Sequence, residues 1–252
     1  MLFASPTPTR YDLRFSLAGI PIRVHPLFWL IALLFGASAG GVVQVLIWVA
    51  VVFVSILVHE LGHAFAMRFY GQRSYIVLHG AGGLTVPEPA GLGGGWADVA
   101  PGPTQQILIS LAGPGAGFLL AGLVLAAVAV AGGSVQLKSL FGVIPFPVAS
   151  LPNGGILVNL LILTMLWVNI FWGLINLMPV YPLDGGNVAR FALLKVDPWD
   201  GVRKSLWVSV ITGVLLAIAG LTLLGSLYMA LLFGFLAFQS FQLLQGRPGR
   251  GY

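Results

Sequence analysis

Apolar residues along this chain fall into long, nearly unbroken runs, separated by short stretches dense in glycine, proline and arginine. The runs cover approximately 26–39, 42–69, 104–131, 154–178, 205–224 and 226–244. A helix crossing a bilayer needs about 20 predominantly apolar residues, so the pattern predicts an all-α polytopic membrane protein with about six transmembrane helices. The first run is short: Gly36 and Ser38 sit near its far end, and Gly40-Gly41 separates it from the second. Two pieces keep a different rhythm. Tyr11–Ser16 alternates apolar and polar residues, and Ser74–Val86 reads SYIVLHGAGGLTV, β-branched and aromatic with a glycine-rich interruption. These predict a small β-sheet or re-entrant element near the cytoplasmic side, at the interface or enclosed by helices, because lipid cannot satisfy an open strand edge.

Composition sharpens the class. Of 252 residues 58% are hydrophobic and only 8% charged, against about a quarter charged in soluble domains. The first 25 residues lack an apolar core with arginines grouped before it, so no cleavable signal peptide is expected. Zero cysteines removes disulfides, cysteine catalysis and thiolate metal ligands, leaving His, Asp and Glu to hold any metal. With six spans, one side collects Arg10, Arg14, Arg23, Arg68, Arg73, Arg190, Lys195, Arg203, Lys204, Arg247 and Arg250, and the other has Lys138 alone. The positive-inside rule then places both termini in the cytoplasm of a bacterial-type plasma membrane. The charge of +5 thus reads as topology, and no basic cluster interleaved with aromatics points to nucleic acid.

Inside the second apolar run stands His59-Glu60-Leu61-Gly62-His63. Residues i and i+4 share a helix face, so the two imidazoles can converge on one zinc ion with Glu60 beside the remaining coordination position. Zinc lowers the pKa of a bound water to about 7, and a neighbouring carboxylate can take its proton. At this chain's own frequencies such a motif is expected by chance in roughly 2 of 1,000 sequences. Ionisable groups in lipid are costly and usually functional, which favours a site over paired structural histidines.

Two histidines leave a third ligand to be found among Asp12, Glu88, Asp98, Asp184, Asp197, Asp200, His25 and His79. Asp184, in NLMPVYPLDGGNVARF, follows the fourth run where that helix returns to the side of the HELGH end of the second. Pro179 and Pro182 stop the helix, Gly185-Gly186 permits a tight turn, and a short helix 187–195 would begin beside the carboxylate. The competing reading makes Asp184 that helix's N-cap.

These stretches resemble the site-2 protease family of intramembrane zinc metalloproteases. The likeness rests on VHELGHAF, SLAGPGAG at 110–117 and NLMPVYPLDGG at 176–186, with GIPIRVHPLFWL and HGAGG at 79–83 also similar. The resemblance implies His59, His63 and Asp184 as ligands to one zinc per chain, Glu60 as general base, and Asn176 as a contact to the substrate backbone or developing oxyanion. Asn176 could equally bond between helices, and Asn169, one heptad earlier, reads as structural. Gly82-Gly83 resembles the family's glycine pair on a membrane-embedded loop, where an extended segment can take up an unwound substrate by strand addition. The glycines of 113–117 read as close helix packing, and His25 and His79 as structural.

The implied protein is a single membrane-embedded metalloprotease domain over 1–252, with a catalytic core of about 19–190 and further helices at about 205–244. About 22 residues join the third and fourth runs, too few for an inserted PDZ domain, and no CBS pair is expected after residue 252. The implied function is hydrolysis of a peptide bond in the transmembrane segment of a single-span protein, already trimmed by another protease, in regulated intramembrane proteolysis. The rivals are a divalent-metal transporter, which would want more intramembrane acids and a paired repeat, and a catalytically inactive scaffold, which would not need Glu60.

Overall fold

The computed structural model describes residues 6–37, 40–88, 101–140 and 144–246. Asp98, Arg247 and Arg250 lie outside the described residues. The chain divides into two compact units, Met1–Asp98 with Ala112–Gly173, and Val99–Leu111 with Leu174–Tyr252.

The first unit opens with strands β1 (Leu13–Leu17) and β2 (Ile20–Val24), helices α1 (Pro26–Gly36) and α2 (Val42–Phe69), and strands β3 (Ser74–His79) and β4 (Gly82–Pro87). The four strands form one sheet in the order β1-β2-β3-β4. β1 and β2 are antiparallel, as are β3 and β4, whereas β2 and β3 run parallel with Ile22 opposite Ile76. Parallel neighbours require a crossover, and here α1 and α2 together supply it. The end of α2 is thereby brought back to the sheet that α1 leaves, and near that end Arg68 Nη1 donates to Ala18 O, between β1 and β2, at 2.7 Å.

One face of this sheet packs on α2. Ile20, Ile22 and Val24 alternate inward along β2 and, with Ile76 and Leu78 of β3, meet Phe28, Ile56, Leu57, Leu61 and Ala64. His25 caps α1, its Nδ1 accepting from Leu27 N at 3.2 Å with Pro26 in the first turn. The indole of Trp48 donates to Ala32 O at 3.2 Å, tying α2 to α1.

The first apolar run yields a helix of only 11 residues, about 16 Å long, too short to cross a bilayer. It stops at Gly36, and Gly40 and Gly41 intervene before α2 begins. Among the described residues five helices have crossing length: α2, α3 (Pro103–Val130), α4 (Gly155–Asn176), α6 (Gly201–Thr222) and α7 (Leu227–Gln245). α5 (Asp184–Val196) is the short helix expected after the fourth run.

Between α3 and α4 lies a hairpin of β5 (Ser134–Leu140) and β6 (Ile144–Ser150). Sequence reasoning left this stretch as a plain connection, since Pro145 and Pro147 argue against a strand. In a two-stranded ribbon each strand keeps an outer edge where a missing N–H costs nothing. Phe146 and Ala149 also pack with Ala121, Val128, Ile162 and Leu166 of α3 and α4, which holds the hairpin down.

In the second unit α6 and α7 pack through Gly213, which faces Ala237 and Phe233, and Gly220, which faces Met229. Ser205, Ser209 and Ser240 are buried, each bonded to a carbonyl within its own helix.

At the N-terminal end of the sheet, Asp12 accepts from Thr9 N at 3.1 Å, Thr9 Oγ1 at 2.6 Å and Arg23 Nη1 at 3.0 Å. Burial alone would raise this carboxyl, but the Thr9 and Arg23 contacts outweigh it and hold its pKa down at about 2 from 3.8. A depressed carboxylate stabilises the fold fully above its unfolded pKa and loses that contribution as pH falls from about 3.8 toward 2. Asp12→Asn is expected to raise amide exchange at Thr9 severalfold at neutral pH. Exchange measured across the acid range should show the gap between variant and wild type closing over that same window.

Candidate functional site

α2 brings three ionisable side chains to one buried patch. His59, Glu60 and His63 are 6%, 6% and 8% exposed, although the 17 residues before His59, Val42–Val58, carry no charge. The i, i+4 spacing sets the rings edge to face with centroids 4.8 Å apart, and the two Nε2 atoms face each other at 3.1 Å. A tetrahedral zinc with two nitrogen ligands at about 2.0–2.1 Å holds those nitrogens about 3.3 Å apart, so the imidazole pair fits that ion without rearrangement.

Three glycines let backbone close over the patch. A Cβ on Gly62 of α2 would overlap Ala112 O and come within 2.8 Å of Ala116 Cβ, so α3 lies directly on α2. A Cβ on Gly113 of α3 would strike the His63 ring, 2.7 Å from Cδ2. On the other side, a Cβ on Gly83 of β4 would meet Glu60 Cδ at 2.6 Å. Close packing by small residues, expected for the run at 113–117, thus carries a second meaning: Gly113 leaves room for the His63 ring.

Thr85 stands two residues beyond Gly83, on the same face of β4. Its Oγ1 donates to Glu60 Oε2 at 2.7 Å and also lies 3.0 Å from Glu60 O. One carboxylate oxygen is thereby bonded and the carboxyl group oriented. Sequence reasoning missed Thr85; the period-2 alternation of β4, counted on from Gly83, was the available signal.

One turn before His59, Ser55 accepts from Asn169 Nδ2 of α4 at 2.9 Å, and both residues are buried. This bond between helices is the structural part expected of Asn169. His25 and His79 likewise serve the backbone: the Nδ1 of His79 accepts from Ala81 N at 3.3 Å in the β3–β4 turn. Burial pushes His79 below its ordinary 6.5, and the neighbouring His25 and Arg23 push it further.

In the second unit, Asn176 is the last residue of α4 and is buried. Asp184 is the first residue of α5, with Leu183 in the N-cap position, so it does not act as that helix's cap. The turn before it is fixed by three contacts. Cβ atoms on Gly185 and Gly186 would overlap the backbone of Leu177 and of Val180–Tyr181, and Ser209 of α6 accepts from Tyr181 N at 3.0 Å. Ser209 is a positioning contact for which the sequence offered no motif.

His59, His63 and Asp184 form a group that could hold a metal ion. Two imidazole nitrogens and a carboxylate oxygen, with no thiolate in the chain, are a donor set of the catalytic zinc kind, three protein ligands with one position left for water or substrate.

The family model described as peptidase family M50 matches residues 47–220. Zinc metalloprotease MJ0392 of Methanocaldococcus jannaschii is 27% identical over 191 residues, which is 73% of this chain and 46% of that protein. Rip3 of Mycobacterium tuberculosis is 28% identical over 209 residues, 75% of this chain and 45% of that protein. The chain spans just under half the length of both curated relatives. The solved site-2 protease from Methanocaldococcus jannaschii superposes with a TM-score of 0.54, covering 95% of this chain and 97% of that one at 23% identity, which shows a shared fold.

The glycine contacts make a paired test. Gly113→Ala places a methyl group against the His63 ring and is expected to cost about 1–3 kcal/mol through overpacking, with zinc content falling well below that of wild type. Gly115→Ala, on the same helix with nothing within 4 Å of its added carbon, should leave both stability and zinc unchanged. Metal analysis of the two purified variants, alongside thermal unfolding in detergent, measures the difference.

Proposed function

The chain belongs to peptidase family M50, and on that premise we propose that it is an intramembrane zinc endopeptidase cutting a peptide bond in the transmembrane segment of a membrane-protein substrate. The observation that carries this reading is the buried His59–His63 nitrogen pair at 3.1 Å, with the Glu60 carboxylate beside it on a helix long enough to cross a bilayer.

His59, His63 and Asp184 would hold the zinc. When bound there, zinc supplies Lewis acidity, bringing the pKa of a water near 7 and polarising the scissile carbonyl. Glu60 accepts the proton of the attacking water at Oε1, since Oε2 is engaged by Thr85. It returns that proton to the amine nitrogen as the C–N bond breaks, so water's hydroxyl ends on the acyl carbon and its proton on the leaving amine. The side-chain amide of Asn176 offers a donor toward the carbonyl oxygen, where negative charge develops.

A helical substrate hides its carbonyls in hydrogen bonds and must unwind before attack. β4 is the terminal strand of its sheet, so its outer edge offers backbone groups to an extended segment, and Gly83 and Thr85 on that strand already lie against Glu60. Strand addition along β4 would bring a peptide bond alongside the base. Residues that weaken a helix are therefore expected near the cut.

The parallel β2–β3 pairing also bears on sidedness. The end of α2 returns to the sheet that precedes α1, where Arg68 Nη1 donates to Ala18 O, so Arg14, Arg23, Arg68 and Arg73 share one side. α3 then crosses to the side of Lys138 and α4 returns. With the basic side inward, both termini and the His–Glu patch belong to the cytoplasmic half of a bacterial-type plasma membrane. The substrate is then a single-span protein entering from the bilayer, in regulated intramembrane proteolysis.

Glu60→Gln, which keeps the shape but removes the base, is expected to retain zinc and lose cleavage of a reconstituted single-span substrate by about 10²–10⁴-fold. Asp184→Asn and His59→Ala should instead lose zinc and activity together. Full cleavage by Glu60→Gln, or wild-type protein purified without zinc yet active, sinks the assignment. Thr85→Val should retain zinc and slow turnover about tenfold by freeing the carboxylate to rotate; unchanged turnover in that variant removes Thr85 from the mechanism.

A further inference from the structure

Where α2 ends, the first unit holds a second polar feature that the peptidase site does not use. A cavity of about 340 Å³ is lined by Gly19 of the β1–β2 turn, Pro21 of β2, Arg68 at the end of α2, Gln72 and Arg73 between α2 and β3, and Glu88 just after β4. That volume falls within the range of small-molecule sites.

Its lining is chemically uneven. Arg68 and Arg73 bring two guanidinium groups to it and Glu88 one carboxylate. Arg68 is held in place: its Nη1 donates to Ala18 O at 2.7 Å, and its guanidinium lies 5.9 Å from the Phe65 ring centroid. A guanidinium carries five donors, so one bond to a carbonyl leaves others for a second acceptor. Gln72 lines the cavity between them. The occupant that complements this lining carries a strong acceptor for the two arginines and, at its other end, a positive hydrogen-bond donor for Glu88.

Depth narrows the occupant further. α2 has 28 residues, about 42 Å of helix, against about 30 Å of hydrocarbon, so its last turn lies in the headgroup layer. Phe69, 82% exposed, and Tyr70 stack edge to face there with ring centroids 5.2 Å apart, as aromatic residues do at a membrane interface.

We propose that this cavity binds the headgroup of a phospholipid of the phosphoethanolamine type, with the phosphate on Arg68 and Arg73 and the primary ammonium on Glu88. A phosphate alone leaves Glu88 without a cation. A trimethylammonium head has the charge but no N–H, and a glycerol head donates but leaves Glu88 without a cation. Arg68 lies five residues beyond His63 on the same helix, about 7.5 Å along its axis. An occupied cavity therefore pins α2 at the interface and fixes the depth of the histidine pair. The inference rests on the cavity alone and stands whether or not the peptidase reading does.

Native mass spectrometry of the full chain in detergent, with dioleoyl lipids differing only in headgroup, tests it. Ethanolamine lipid should bind at one equivalent and more tightly than choline or glycerol lipid. Arg73→Gln, at an exposed position, should weaken that binding about tenfold, the loss of a charge-assisted contact. Glu88→Gln should erase the preference for ethanolamine over choline while leaving weaker phosphate-driven binding, and both variants should match wild type in helical content and zinc. Equal binding of choline and ethanolamine lipid, tighter binding of glycerol lipid, or an unchanged Arg73→Gln each overturns the proposal. Soluble phosphoethanolamine binding as tightly as the lipid also overturns it, identifying a free phosphomonoester as the occupant.

Discussion

Three ionisable side chains on an apolar helix must be screened from lipid by something that comes very close. In this protein the screen is backbone rather than side chain. Gly62 and Gly113 bring α3 onto α2 over the His63 ring, and Gly83 brings β4 onto the other side, against Glu60. Close approach excludes hydrocarbon, leaves room for the imidazoles, and puts Thr85 within reach of the carboxylate. A methyl group on Gly113 or Gly83 would occupy space the functional side chains need. The packing of the first unit and the geometry of its chemistry thus share one steric constraint.

The sheet follows from that constraint. β4 can reach Glu60 only if it is held near the end of α2, and it is held by β3, which in turn pairs in parallel with β2. A parallel pair needs a crossover, so α1 and α2 leave the sheet and return to it as a unit. The short α1 then makes sense without spanning: it has to turn the chain back into α2, and 11 residues suffice. The same arrangement returns the end of α2 to that sheet, where Arg68 and Arg73 line the polar cavity. In the second unit Ser209 and the Gly185-Gly186 pair hold the turn ahead of Asp184 in a comparable way, through backbone contacts.

Family membership and fold stand on the match over residues 47–220 and on the superposition with a solved site-2 protease. The chemistry stands on the residues. Two imidazoles and a carboxylate suit zinc, a carboxylate with one oxygen bonded and one available suits a base, and an edge strand suits an extended peptide. None of the three alone separates a peptidase from a metal-binding scaffold. Glu60, oriented by Thr85, is what a scaffold would have no use for.

Much of this was legible in the chain itself. Apolar runs of about 20 residues must become helices in lipid because no other local structure satisfies the backbone there, and two histidines four apart on such a helix must share a face. The crossing helices, the His59–Glu60–His63 patch and the strand character of residues 11–16 and 74–86 follow from those local rules, whereas the strand Ile20–Val24 was not anticipated. What local rules could not supply was partnership. The pairing of β2 with β3, the hairpin at 134–150 built partly from prolines, and the placing of Thr85 on Glu60 and Ser209 on Tyr181 each join residues far apart in sequence. Periodicity records which face of an element is apolar. It does not record which distant backbone comes to cover that face, and only close packing in three dimensions decided that.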